Sequence, residues 1–159
     1  MFLDNLTRPT KLESLLITLS LFQDEYLKPD EIRNLFQPSG LSDTENQDQS
    51  KATFNTAKAL FFLEENSGSF RLKKEFDNNE VKSQILKSFD KIVLENDKVE
   101  KWFALLYSFV LGRYSKIKST DGEKISEDFR TQIFDGVKQD NQLNATKYSH
   151  YFSWFEYIG

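Results

Sequence analysis

Apolar residues recur every three to four positions near the start of this chain. Leu12, Leu15, Leu16, Leu19 and Phe22 share one face of a helix wound at about 100° per residue. Thr10-Lys11-Leu12-Glu13 fits a capping box, with Thr10 as N-cap, Glu13 reaching back and Pro9 stopping the helix from starting earlier. A second helix is expected from Pro29, whose missing N–H costs nothing in a first turn. Asp30 and Glu31 complement its positive end. Ile32, Leu35 and Phe36 form its buried stripe, and Pro38 and Gly40 end it. Residues 37–49, QPSGLSDTENQDQ, read as a polar loop, longer than the ~3–4-residue turn of a tight helix-turn-helix. Ser50 is the expected N-cap of a third helix starting at Lys51. On that helix Lys51, Asn55 and Lys58 form one polar stripe. Ala52, Thr56, Ala59, Leu60 and Leu63 lie opposite, and Phe54, Ala57 and Phe61 make a second apolar face for core packing. A helix apolar on two sides touches two layers and leaves one strip free.

The period then changes. Asn66-Ser67-Gly68 is turn chemistry, and after it Phe70 and Leu72 alternate with Arg71 and Lys73 in a half-buried strand pattern. Phe62 to Glu65 is either the partner strand or a continuation of the helix, and periodicity does not decide between them. Beyond this point the chain reads as helical. Asn78-Asn79 can cap a helix from Glu80 with Val81, Ile85, Leu86, Phe89 and Val93 on its apolar face. Trp102 to Gly112 is apolar nearly all round, which predicts a buried core helix; it is too short for a membrane span. Ser119 to Gly122 is a turn. Ile125 to Lys138 follows as a mixed helix with Phe129, Ile133, Phe134 and Val137 at helical spacing. Tyr148, Tyr151, Phe152, Phe155 and Ile158 line one side of a last helix, with Trp154 beside them and Gly159 as its C′ residue. An aromatic helix that ends on its cap leads us to expect a piece of a larger protein cut at a domain boundary, with a naturally short protein as the alternative.

Charge is unevenly distributed. The whole chain carries 21 basic and 25 acidic residues, a net −4, which argues against a histone-like polyanion binder. Residues 1–49 hold four basic residues against nine acidic ones. Residues 50–74 hold five basic residues (Lys51, Lys58, Arg71, Lys73, Lys74) against two acidic ones. That is a local positive patch in an acidic protein. Cysteine is absent, which excludes disulfides, zinc-thiolate sites and cysteine nucleophiles. The opening MFLDNLTRPTKLE has a charge at Asp4 and no long apolar run, so no signal peptide is expected and a cytoplasmic location is the simple reading.

Helix, helix, loop, helix and a basic hairpin is the order of winged helix-turn-helix domains. Over residues 8–76 the chain resembles that superfamily, and NTAKALFFLEENSGSFRL looks like a recognition helix running into a wing. The resemblance implies a mainly α fold, with a winged-helix domain of three helices plus a β-hairpin over residues 1–76. A helical region, 77–159, then packs on it or forms a small subdomain. The implied partner is double-stranded DNA, with the third helix in the major groove and the wing on the backbone or minor groove. The matching positions are Lys51, Asn55 and Lys58 on the helix and Arg71, Lys73 and Lys74 on the wing. The opening helix and the closing YFSWFEYIG are also similar to the amino-terminal part of DpdG-like proteins from bacterial defence gene clusters. That similarity implies a regulatory role or a place in a multi-component defence assembly.

Residue chemistry refines these roles. An Asn55 amide suits a bidentate hold on adenine, and a Lys58 ammonium suits guanine O6/N7; the helix has no arginine, the commonest guanine reader. The rival reading is a protein–protein module that keeps this shape without binding DNA, with the aromatic C-terminal helix as its candidate interface. No phosphate-loop, dinucleotide or H-E-x-x-H motif is present, and no cofactor or catalytic residue is expected. His150 reads as an ordinary exposed residue. Asp43, Glu45 and Asp48 lack the spacing of an EF-hand, so no metal is expected there.

Overall fold

The computed structural model describes residues 7–36, 44–94, 101–113, 118, 121–134 and 144–158. These residues form seven α-helices and one two-stranded antiparallel sheet, a mainly α fold. Two compact units are present, Asn5–Ile92 and the chain from Val93 onward.

The first helix, α1 (Pro9–Ser20), starts one residue before the expected cap. Pro9 is its first helical residue and Arg8 its N-cap, with no side-chain capping bond. The Thr10 capping box is therefore not formed. Proline's preset φ starts the helix without one. Leu12, Leu15, Leu16 and Leu19 are all buried as expected, while Phe22 lies past the helix end and is half-buried. α2 (Pro29–Phe36) begins at Pro29 as expected, and the Glu31 carboxylate accepts the Lys28 N–H at 2.6 Å. One half of a capping box thus occurs here instead. Ile32 is buried, but Leu35 is 39% exposed and Phe36 half-buried, so the expected stripe narrows to one residue. Two helical turns bring only one position fully onto α1 and α3.

α3 (Thr44–Ala59) begins six residues before Ser50. The segment expected as a loop over 37–49 is thus helical from Thr44, and Ser50 is a buried residue inside the helix. Glutamate and glutamine are good helix formers despite their polarity, which a loop reading of a polar run overlooks. Pro38 and Gly40 lie outside the described residues. Thr53, Phe54, Thr56, Ala57 and Leu60 are buried. The threonine hydroxyls are satisfied locally: Thr53 donates to the Gln49 carbonyl at 2.8 Å and Thr56 to that of Ala52 at 2.9 Å.

The end of α3 decides the helix-or-strand question. The Phe62 N–H bonds to the Ala57 carbonyl and the Phe61 N–H to that of Lys58, with Phe61 at φ 62°. This is a Schellman cap with phenylalanine in the left-handed position usually taken by glycine. The chain leaves it as β1 (Leu63–Asn66), turns at Ser67-Gly68 and returns as β2 (Ser69–Leu72). Both turn residues have positive φ, 51° and 78°, as a two-residue type I′ loop requires. Phe70 and Leu72 face the core, and the Phe70 backbone also exchanges two hydrogen bonds with Leu27, at 2.8 and 2.9 Å. The Phe54 and Phe70 rings meet edge to face at 5.2 Å, fastening the hairpin to α3.

α4 (Val81–Leu94) follows a 3-10 turn over Asn78–Glu80. Asp77 caps that turn, its carboxylate accepting the Asn79 N–H at 2.8 Å, so the expected caps Asn78 and Asn79 lie inside the turn. Val81 and Ile85 are buried and Leu86 half-buried, while the Phe89 and Val93 side chains lie outside the description.

The second unit holds α5 (Lys101–Arg113), α6 (Gly122–Phe134) and α7 (Ala145–Ile158). Leu106, Phe109 and Val110 of α5 are buried, yet Leu111 is 60% exposed, so this helix is not buried all round. α6 starts at Gly122, three residues before Ile125. It buries Ile125 and Phe129 but leaves Ile133 exposed. Ser119, Thr120, Val137 and Gly159 lie outside the described residues. On α7 the buried residues are Tyr148, Tyr151 and Trp154, while Phe152 and Phe155 are half-buried. Trp154, beside those positions in the sequence reading, is as deeply buried as Tyr148 and Tyr151. Tyr107 of α5 stacks on Phe155 at 5.0 Å, and Phe109 meets Phe129 of α6 at 5.3 Å. Among the described residues no helix is long and apolar enough to cross a membrane.

Candidate nucleic-acid interface

The polar stripe of α3 follows from its packing. Because Phe54, Ala57 and Leu60 turn inward, Lys51 and Lys58 are left exposed and Asn55 half-buried. Positions i, i+4 and i+7 share one helix face. The Asn55 amide makes no hydrogen bond to another described side chain or backbone group. The stripe runs into the hairpin at Lys58. Its ammonium lies 3.8 Å from the Glu65 carboxylate and 4.3 Å from the centre of the Phe70 ring.

Arg71 projects from β2 directly opposite Glu64 of β1. The two side chains form an ion pair, and the guanidinium also lies 4.5 Å over the Tyr26 ring. The Tyr26 hydroxyl donates to Glu64 at 2.6 Å. That bond and Arg71 hold the Glu64 carboxyl below its usual value, and the same bond raises the Tyr26 hydroxyl above its own. Two of the six expected contact residues, Lys58 and Arg71, therefore already have anionic partners on the hairpin. Lys73 and Lys74 fall past the end of β2. Their backbone carbonyls both accept from the Gln23 amide at 3.1 Å, which fixes the exit of the hairpin. Lys74 is exposed and Lys73 half-buried.

Comparison with known proteins adds no assignment: no family model, curated protein or solved structure matches the chain.

Reading the sequence alone missed Tyr26, Glu64 and Glu65 as partners of the basic residues. The signal for Glu64 was present. Once the loop is fixed at Ser67-Gly68, pairing outward from Asn66 and Ser69 brings Glu64 opposite Arg71. Tyr26 lies 38 residues from Glu64 in sequence and carried no such signal.

No group of three His, Asp or Glu among the described residues is arranged to hold a metal ion. Asp43 and the side chains of Glu45 and Asp48 lie outside the description. His150 is half-buried on α7 and not exposed as expected.

Proposed function

We propose that the first unit binds double-stranded DNA as a non-enzymatic winged-helix module, with α3 in the major groove and the hairpin along the backbone. The observation that carries this reading is the continuity of the α3 stripe with the hairpin through Lys58, Glu65 and Phe70. Lys51, Lys73 and Lys74 are the phosphate contacts, since none of them has an ion-pair partner among the described residues. Asn55 is the base reader. Arg71 is a positioning residue: clamped between Glu64 and Tyr26, it holds the wing against the loop before α2.

A second reading rests on those same ion pairs. A wing that neutralises Lys58 and Arg71 with its own carboxylates also suits a protein partner. Titrating labelled duplexes with single variants separates the two. Lys51→Ala weakens binding to all sequences alike, and Asn55→Ala lowers discrimination at one base pair by roughly 1–3 kcal/mol. Lys124→Ala, at an exposed position of α6, leaves both unchanged. Absence of binding even at low salt assigns the surface to a protein partner.

A further inference from the structure

A cavity of about 230 Å³ opens in the first unit between the end of α3, the exit of the hairpin and α4. Phe61, Phe62 and Phe76 give it an aromatic floor. Phe62 and Phe76 are buried and meet edge to face at 5.9 Å, so that part of the floor is rigid. Phe61 is held at φ 62°, a backbone conformation disfavoured for any residue with a Cβ. That strained cap presents its half-buried ring to the cavity.

Among the described lining residues, Lys73, Lys87 and Lys91 stand with one carboxylate, Glu75. The Lys91 ammonium sits 4.6 Å over the Phe61 ring, at the junction of rim and floor. The walls are fixed independently of any ligand. The Lys73 N–H bonds to the Phe62 carbonyl at 3.0 Å, and the Gln84 amide donates to the Asp77 carbonyl at 2.7 Å. A cationic rim above an aromatic floor favours an anion that also carries a flat apolar surface. The volume lies below the ~300–1,000 Å³ of a drug-sized pocket, which limits the ligand to about one ring.

We propose that this cavity binds a small ring-bearing anion: one aromatic ring carrying a carboxylate or phosphate, the ring on the phenylalanine floor and the anion among the lysines. The site stands independently of the DNA reading. Its test avoids Lys73, which both use, so the two fail separately.

Calorimetric titration of the full chain with phenyl phosphate and with benzoate tests it, with inorganic phosphate and phenol as comparators. Saturable binding of a ring-bearing anion is expected, at least about tenfold tighter than either comparator. Whichever of the two probes binds more tightly identifies the anionic group. Lys87→Ala and Lys91→Ala, both on an exposed helix face, each weaken binding about tenfold. Glu75→Gln tightens it, a gain that a loss of folding cannot imitate. The proposal is overturned if neither probe saturates at millimolar concentration. It is equally overturned if inorganic phosphate binds as tightly as phenyl phosphate, or if the rim variants leave affinity unchanged.

Discussion

Replacing Leu16 with alanine tests the packing that holds the proposed interface in place. Leu16 is fully buried on α1, the helix that packs against α2, α3 and β2. Removing three carbons forfeits about 2.4 kcal/mol of transfer free energy at ~0.8 kcal/mol per carbon. The surrounding elements are tied to one another through the Leu27–Phe70 bridge and the Phe54–Phe70 ring pair, so they collapse only partly into the space. The cavity left behind brings the expected cost to about 3–4 kcal/mol, inside the ~2–5 kcal/mol range for buried leucines. Ile17, the next residue, is 43% exposed, and its change to alanine costs less than about 1 kcal/mol. Urea unfolding followed by far-UV circular dichroism measures both. Tryptophan fluorescence is the wrong probe, because Trp102 and Trp154 belong to the second unit. A midpoint shift at constant slope is expected for Leu16→Ala. A loss below about 1 kcal/mol, or equal losses at the two neighbours, refutes the helix phase and the core built on it.

Phe61 and Glu64 give two further tests. At Phe61 the order of helix-interior substitutions reverses: Phe61→Ala keeps the Cβ at φ 62°, whereas Phe61→Gly removes it. The glycine variant is therefore more stable than the alanine variant by about 1 kcal/mol in urea unfolding, and equal stability contradicts the left-handed cap. Glu64 has its folded-state pKa lowered by the Tyr26 hydroxyl and then by Arg71. Its stabilising contribution is present above the unfolded value, about 4.5, and is lost as pH falls below that value through the folded one. Glu64→Gln accordingly flattens the acid limb of the urea midpoint against pH; an unchanged acid limb would show that the carboxylate's partners are not held in solution.

The sequence made some of this architecture legible and concealed the rest for identifiable reasons. The α1 stripe was readable because four leucines fall on one face with no competing pattern. The hairpin was readable from Asn66-Ser67-Gly68, since few residues accept two consecutive positive φ angles. The start of α3 was hidden by polarity. Periodicity detects a helix only where one face is apolar, and residues 44–49 have no such face. The end of α3 was hidden by Phe61, a bulky residue where glycine would have announced a cap. At the candidate interface the basic residues were visible but their electrostatic state was not. Glu64 beside Arg71 follows once the hairpin register is set at Ser67-Gly68, whereas Glu65 is brought beside Lys58 by the way α3 ends against β1.

That electrostatic state makes the salt dependence of DNA binding the most direct test of the proposed function. With Lys58 and Arg71 already paired, Lys51, Lys73 and Lys74 remain to displace counterions. The logarithm of the binding constant should then fall against the logarithm of salt concentration with a slope of roughly −3. Replacing those three lysines together with alanine should bring the slope close to zero. Absence of duplex binding at low salt, or a slope that survives loss of all three, would contradict the account.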